Sequence, residues 1–134
     1  MSDQHLIAKI GQYALVKNKE NKVLILERTR SKTWCLPRGR LNDDEEWDSA
    51  LLREMDEELT LNCNNPRPYM VNVLKDEWQT KYCVYFVVDC LDLSSLQISD
   101  EHSDLKWVGL NEIDDINFED TKVKEVVCSF LGEG

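Results

Sequence analysis

A chain of 134 residues is long enough for one domain with its own core, and 42% hydrophobic with 31% charged residues excludes a disordered polymer. No apolar run reaches membrane-span length; the longest, Val84 to Val88, is the size of a strand. The net charge of −10 argues against long nucleic acid as the expected partner, since such binding normally needs a broad basic face.

Other global features point to a cytoplasmic protein with no membrane attachment. The first residues lack a basic stretch followed by an apolar one. Cys35, Cys63, Cys83, Cys90 and Cys128 are odd in number and form no Cys-x-x-Cys pair, and His5 and His102 stand far from one another. That spacing argues against zinc and for cysteines acting as small buried hydrophobes. Charge is unevenly placed: residues 1–41 carry 9 basic and 3 acidic side chains, whereas residues 42–58 carry 9 acids and only Arg53. A basic segment abutting an acidic one suits a place where metal ions meet a phosphorylated ligand.

In chain order, His5 to Lys17 and Lys22 to Arg28 read as two strands joined by a polar turn at Asn18–Asn21. Residues 29–44, with Pro37 and Gly39, show no period and read as a loop before a helix. The helix spans Glu45–Leu59, with Asp43 or Asp44 as its N-cap and Trp47, Leu51 and Met55 as its apolar stripe. Met70 to Trp78 and Thr80 to Leu91 read as a strand pair, the second apolar enough to be central. A short strand at Leu105–Val108, carrying Trp107 into the core, and a closing helix from Asp120 to Leu131 complete the chain. Strands between helices predict an α/β sandwich with a mixed β-sheet covered on both faces.

On the Glu45–Leu59 helix, Glu54, Glu57 and Glu58 follow i, i+3, i+4 spacing and project from one side. Such hard oxygen donors suit Mg²⁺ or Mn²⁺, though most acidic helix faces are merely solvated. Their context is more specific. From Gly39 the chain reads five residues, Glu45, seven residues, then Arg53-Glu54-Met55-Asp56-Glu57-Glu58-Leu59-Thr60-Leu61. This resembles the signature of the Nudix hydrolase family, G-x5-E-x7-R-E-U-x-E-E-x-G-U with U apolar, and departs from it only at Thr60, where the family has glycine. The flanks agree: Trp34-Cys35-Leu36-Pro37 resembles the family's W-x-L-P entry, and Glu101 to Trp107 its E-H-x-[DE]-x-x-W segment.

The resemblance implies a single Nudix hydrolase domain over residues 1–134, with the family's α/β/α sandwich. It also implies cleavage of a pyrophosphate bond in a nucleoside diphosphate derivative by metal-activated water, with Mg²⁺ or Mn²⁺ as cofactor. The Gly39 carbonyl and the carboxylates of Glu54, Glu57 and Glu58 would hold metal, while Glu45 and Arg53 brace helix and loop. Glu54 is the first choice for general base; Glu101 is the second, or else a further metal ligand or a plain surface acid. At Thr60, where a β-branched residue in a left-handed geometry would be strained by roughly 1–2 kcal/mol, a shifted helix exit is expected.

Arg28, Arg38 and Arg40 are candidate phosphate-binding side chains, since guanidinium forks match phosphate oxygens; Arg30 reads as a solvated charge. Trp34 is the candidate base-stacking residue, with Tyr13 and Trp78 behind it. The expected partner is a small nucleotide: a nucleoside triphosphate, a dinucleoside polyphosphate or a nucleotide sugar, with a weak lean to the first two. The chain is expected to work as a monomer or homodimer. Two rivals remain, a non-catalytic nucleotide-binding module and an isomerase using Cys35 with a glutamate.

Overall fold

The computed structural model describes residues 5–133. Strands β1 (Lys9–Leu15), β2 (Val23–Arg28), β3 (Trp34–Cys35) and β4 (Arg38–Arg40) precede helix α1 (Trp47–Leu59). Strands β5 (Cys63–Lys75), β6 (Thr80–Cys90) and β7 (His102–Val108) follow, and helix α2 (Thr121–Glu133) closes the described chain. The strands form two sheets. One is four-stranded and mixed, in the order β4-β1-β6-β5 with β1 parallel to β6; the other is three-stranded, β3-β2-β7. They meet where Leu24 N donates to Val16 O at 3.0 Å, at the mouth of the β1–β2 turn.

Alternation along the strands explains why both faces are covered. Tyr13, Leu15, Val23, Ile25, Cys83 and Tyr85 point to one side and share a core with Val123, Val126, Val127 and Leu131 of α2. Ala14, Val16, Leu24, Leu26, Phe86 and Val88 point to the other, where Leu51, Met55 and Leu59 of α1 cover them. The expected sandwich with a mixed sheet is present, and β6 lies inside its sheet as its apolar run requires. Its neighbour β5 is an edge strand, which is where Pro66 and Pro68 can sit without leaving ladder acceptors unpaired.

Several boundaries differ from the sequence-based expectations. The first strand begins at Lys9 rather than His5, and the strand expected from Met70 starts at Cys63, with two register shifts before Met70. That start sets Cys63 opposite Cys90, Sγ atoms 2.6 Å apart. The 29–44 segment is not all irregular: β3 and β4, of two and three residues, lie within it, too short to show any period. Residue Trp107, placed in the core, is half-buried against the α1 side, and β7 starts three residues earlier than expected, at His102.

Helix α1 starts at Trp47, with Glu46 as N-cap and no side-chain cap, so neither Asp43 nor Asp44 fills that role. The reason lies in the turn before it. Glu45 N bonds to Asn42 O, and the Glu45 carboxylate is taken by Arg53, so the chain turns once more before helical bonding begins. Trp47 does not enter the core with Leu51 and Met55; it is 41% exposed and stacks on Phe86 at 5.1 Å.

The helix exit is not shifted by Thr60. Thr60 itself takes the left-handed conformation, φ 55° and ψ 39°, its N–H reaching Asp56 O while Leu61 N reaches Met55 O. Two contacts hold it there: Leu61 is fully buried, and the helix-end carbonyls accept from elsewhere, Leu59 O from Gln97 N at 2.9 Å and Thr60 O from Ser95 Oγ at 2.8 Å. Tertiary structure thus imposes a conformation that threonine disfavours. Thr60→Gly is expected to raise stability by about 1 kcal/mol in denaturant melts, the relief of left-handed strain less the added unfolded-state entropy of glycine. The Thr60 side chain takes no part in the acidic cluster, so activity should stay unchanged.

Candidate active site

The box folds into a tight unit because β4 runs directly under α1. Gly39 pairs with Gln12 of β1, and the glycine is required by proximity: a Cβ there would lie 2.2 Å from Glu54 Cγ and 2.7 Å from Glu54 Cβ. The Gly39 backbone and the Glu54 side chain are therefore in direct contact, as a shared cation would need. Gln12, buried on the same face, donates from Nε2 to Trp47 O at 3.1 Å and so ties the start of α1 to the sheet.

Arg53 organises the carboxylates around it. Its Nε and Nη2 meet Glu45 Oε2 and Oε1 at 2.7 and 2.8 Å, a two-pronged bond of the kind that fixes orientation. Its Nη1 meets Glu54 Oε1 at 3.1 Å and Glu57 Oε2 at 3.0 Å. Glu58 is held separately, its Oε2 accepting from Ser99 Oγ at 2.8 Å. The Arg53 hydrogen bond holds the Glu45 carboxyl below the usual glutamate range. Glu54 moves the opposite way: burial raises its pKa, Arg53 partly offsets this, and Glu58 and Glu57 raise it again. The one cation beside an ionised Glu54 is Arg53, which Glu45 and Glu57 share.

Among the described residues no three His, Cys, Asp or Glu side chains converge into a closed metal cage. Mg²⁺ commonly keeps several waters and takes only one or two carboxylates together with substrate phosphates. What favours a cation here is the crowded Glu54 carboxylate, packed directly against the Gly39 backbone. Gly39 O, Glu54, Glu57 and Glu58 are the donors that the family resemblance assigns.

The other expected residues are distributed as follows. Glu101 is exposed at the end of the loop that Ser99 fastens to Glu58; its own carbonyl accepts from Thr29 N at 3.3 Å. Arg28 and Arg38 are not free: both donate to Glu119, at 3.2 and 3.1 Å. Arg40 is exposed and makes no ion pair among the described residues. Trp34 is half-buried with the Lys106 ammonium 5.1 Å from its ring centre, and its backbone pairs with Asn117 and Glu119. Tyr13, only 1% exposed, stacks on Tyr85 and offers no ring to a ligand, while Trp78 is 88% exposed, well outside the box.

Glu119 is the residue that sequence reasoning missed. It lies 81 and 91 positions from its two arginines, and no local pattern links them. Cys35, the isomerase candidate, is fully buried, and burial, with Glu119 nearby, pushes its thiol up to about 12. Its partners are Leu26 O at 3.5 Å and His102 Nε2 at 4.0 Å. A thiol so firmly protonated is a poor acid–base catalyst near neutral pH, which removes the support for an isomerase.

Comparison with known proteins agrees with this construction. The NUDIX domain family model matches residues 9–127, most of the chain. An RNA pyrophosphohydrolase from Pelagibacter ubique is 28% identical over 137 aligned residues, covering 87% of each chain. The MutT protein of Methanosarcina mazei Go1 superposes with a TM-score of 0.76 at 21% identity, covering 98% of both chains. The NUDIX domain of Shewanella oneidensis NrtR, solved with ADP ribose, superposes at 0.75 and 17% identity, covering 96% of this chain and 89% of that one. The chain belongs to the Nudix hydrolase family, with its α/β sandwich, and is a pyrophosphohydrolase of that class. Members of the family generally use divalent cations such as Mg²⁺ and act on small nucleotide substrates.

Proposed function

We propose that this protein is a Mg²⁺-dependent enzyme that hydrolyses the pyrophosphate bond of a nucleoside triphosphate or dinucleoside polyphosphate, residues 1–134 acting as one domain. The observation that carries this reading is the contact of Gly39 with Glu54, in a crescent of carboxylates aligned by Arg53. Gly39 O, Glu54, Glu57 and Glu58 would hold the cation, whose chemistry is to polarise the phosphate oxygens and acidify the attacking water. Glu54 would take the proton of that water, and burial raises its affinity for a proton. Glu101 is the alternative base, carried by the loop bound to Glu58 through Ser99. Glu45 and Arg53 position the helix, and Arg53 also holds Glu54 through its Oε1.

Arg28, Arg38 and Arg40 receive the phosphates, and Trp34 borders the base. Free cysteines and the absence of any helix long and apolar enough to cross a membrane, among the described residues, support a cytoplasmic setting. A second reading comes from the Pelagibacter relative, whose substrate is RNA: the triphosphorylated end of an RNA chain presents the same bond. The net charge of −10 disfavours it. A coupled phosphate-release assay over nucleoside triphosphates, dinucleoside polyphosphates, nucleotide sugars and a triphosphorylated oligoribonucleotide decides among them. The expected order puts the free nucleotides first; a preference of the oligoribonucleotide over every free nucleotide would reverse the assignment.

Cation binding has its own signature. At ten times its Kd, Mg²⁺ should stabilise the fold by about 1.4 kcal/mol, seen as a rise in Tm. The rise should vanish in Glu54→Gln; an equal rise in that variant would place the cation elsewhere.

A further inference from the structure

The register of β1 with β4 and β6 collects cations behind the box. Arg40 lies opposite Gly11 and Arg38 opposite Tyr13, so both side chains leave β4 on the face turned away from Glu54, which packs at Gly39 between them. Lys81 of β6 reaches the same place. Its chain crosses Gly11, where a Cβ would come within 2.6 Å of Lys81 Cε, and its Nζ donates to Tyr13 Oη at 2.9 Å. Glycine inside a strand costs stability, so its presence here has a local reason: it leaves the groove in which Lys81 lies.

The charges gathered there are not balanced. Arg28 and Arg38 share the one carboxylate of Glu119, and neither Arg40 nor Lys81 has an ion pair among the described residues. Burial lowers the pKa of Lys81 and Arg38 lowers it further, with Cys83 and Glu119 offsetting part of the effect, so the ammonium is held beside a second cation at a cost. Four cations on neighbouring strands, only two of them paired and those two with the same carboxylate, form a basic patch in a protein of charge −10 and call for an anion.

We propose that Lys81, seated on Tyr13 across Gly11, forms with Arg38 an anion subsite for a phosphate of the substrate lying outside the bond that is cleaved. This rests on the hydrolase reading and deepens it. A polyphosphate chain passing over edge strand β4 would meet Lys81 and Arg38 on one side and, on the other, the cation that Gly39 O and Glu54 would hold. Substrates with three or more phosphates reach both sides; a nucleotide sugar, with two, reaches one.

The test is calorimetric titration of metal-free protein with inorganic tripolyphosphate. Wild type should bind, and Lys81→Met should weaken binding by about tenfold or more, the loss of a charge-assisted contact. Gly11→Ala, which retains every charge but pushes Lys81 off Tyr13, should weaken it in the same direction. In turnover, Lys81→Met should raise KM for a nucleoside triphosphate with kcat little changed, and leave a nucleotide sugar unaffected. No measurable tripolyphosphate binding by wild type, or equal binding by a folded Lys81→Met, overturns the subsite. Because the titration uses neither metal nor turnover, its result is separate from that of the hydrolase: Glu54→Gln abolishing turnover while Lys81→Met binds normally sinks the subsite alone.

Discussion

Glu54→Gln should lower kcat by about three orders of magnitude while leaving the protein folded and, without metal, no less stable. The loss follows from two roles held by one carboxylate. As a donor to the proposed cation, Glu54 would hold the charge that stabilises the phosphoryl transition state, worth several kcal/mol, and each ~1.4 kcal/mol is tenfold in rate. As the general base it contributes a further ~100-fold or more. The stability half of the expectation comes from its surroundings. Burial and the neighbouring Glu58 and Glu57 oppose its charge, and only Arg53 favours it. Glutamine keeps the shape and an acceptor for Arg53 while removing the charge. Steady-state kinetics beside a thermal melt check both halves; a variant that lost activity only by unfolding would contradict the account. Glu58→Gln, whose Ser99 bond survives the change, should lose activity by metal binding alone and so by a smaller factor.

Gly39→Ala is the second large effect. The new methyl group would stand 2.2 Å from Glu54 Cγ, a distance no pair of carbons sustains, so either the carboxylate swings out or β4 moves off α1. A displacement of about 1 Å at a reacting centre costs on the order of 100-fold in rate. The loss should fall on kcat and on Mg²⁺ affinity together, because the glycine carbonyl and the carboxylate move as one. Metal titration of activity reads both; normal kinetics in a folded Gly39→Ala would show that the close contact has no part in catalysis.

How much of this was legible in the sequence follows the range of the interactions. Helix α1 and its carboxylates were visible because 3.6-residue periodicity and the box spacings are local, and strand β6 because a continuous apolar run belongs inside a sheet. The split into two sheets was not. It depends on β1 and β2 parting after the Val16–Leu24 bond, and on β3 and β4 being only two and three residues long. Thr60 shows local propensity overruled by tertiary contacts: threonine avoids the left-handed region, yet Leu61 and the 95–97 segment hold it there. In the site, the box residues were readable as a resemblance, whereas the roles of Glu119, Lys81 and Gly11 depend on register and on pairings across most of the chain. Arg28 and Arg38, chosen from their proximity to the box, turned out to be shared with Glu119, which sets their position before any substrate arrives.

The most direct measurement is turnover of a nucleoside triphosphate by wild type and Glu54→Gln, with Mg²⁺ or with chelator, in water enriched in heavy oxygen. The account predicts wild-type turnover that requires Mg²⁺, puts one heavy oxygen into one of the two phosphorylated products, and falls about 10³-fold in Glu54→Gln. Turnover that survives chelation, or that is undiminished in Glu54→Gln, would contradict it.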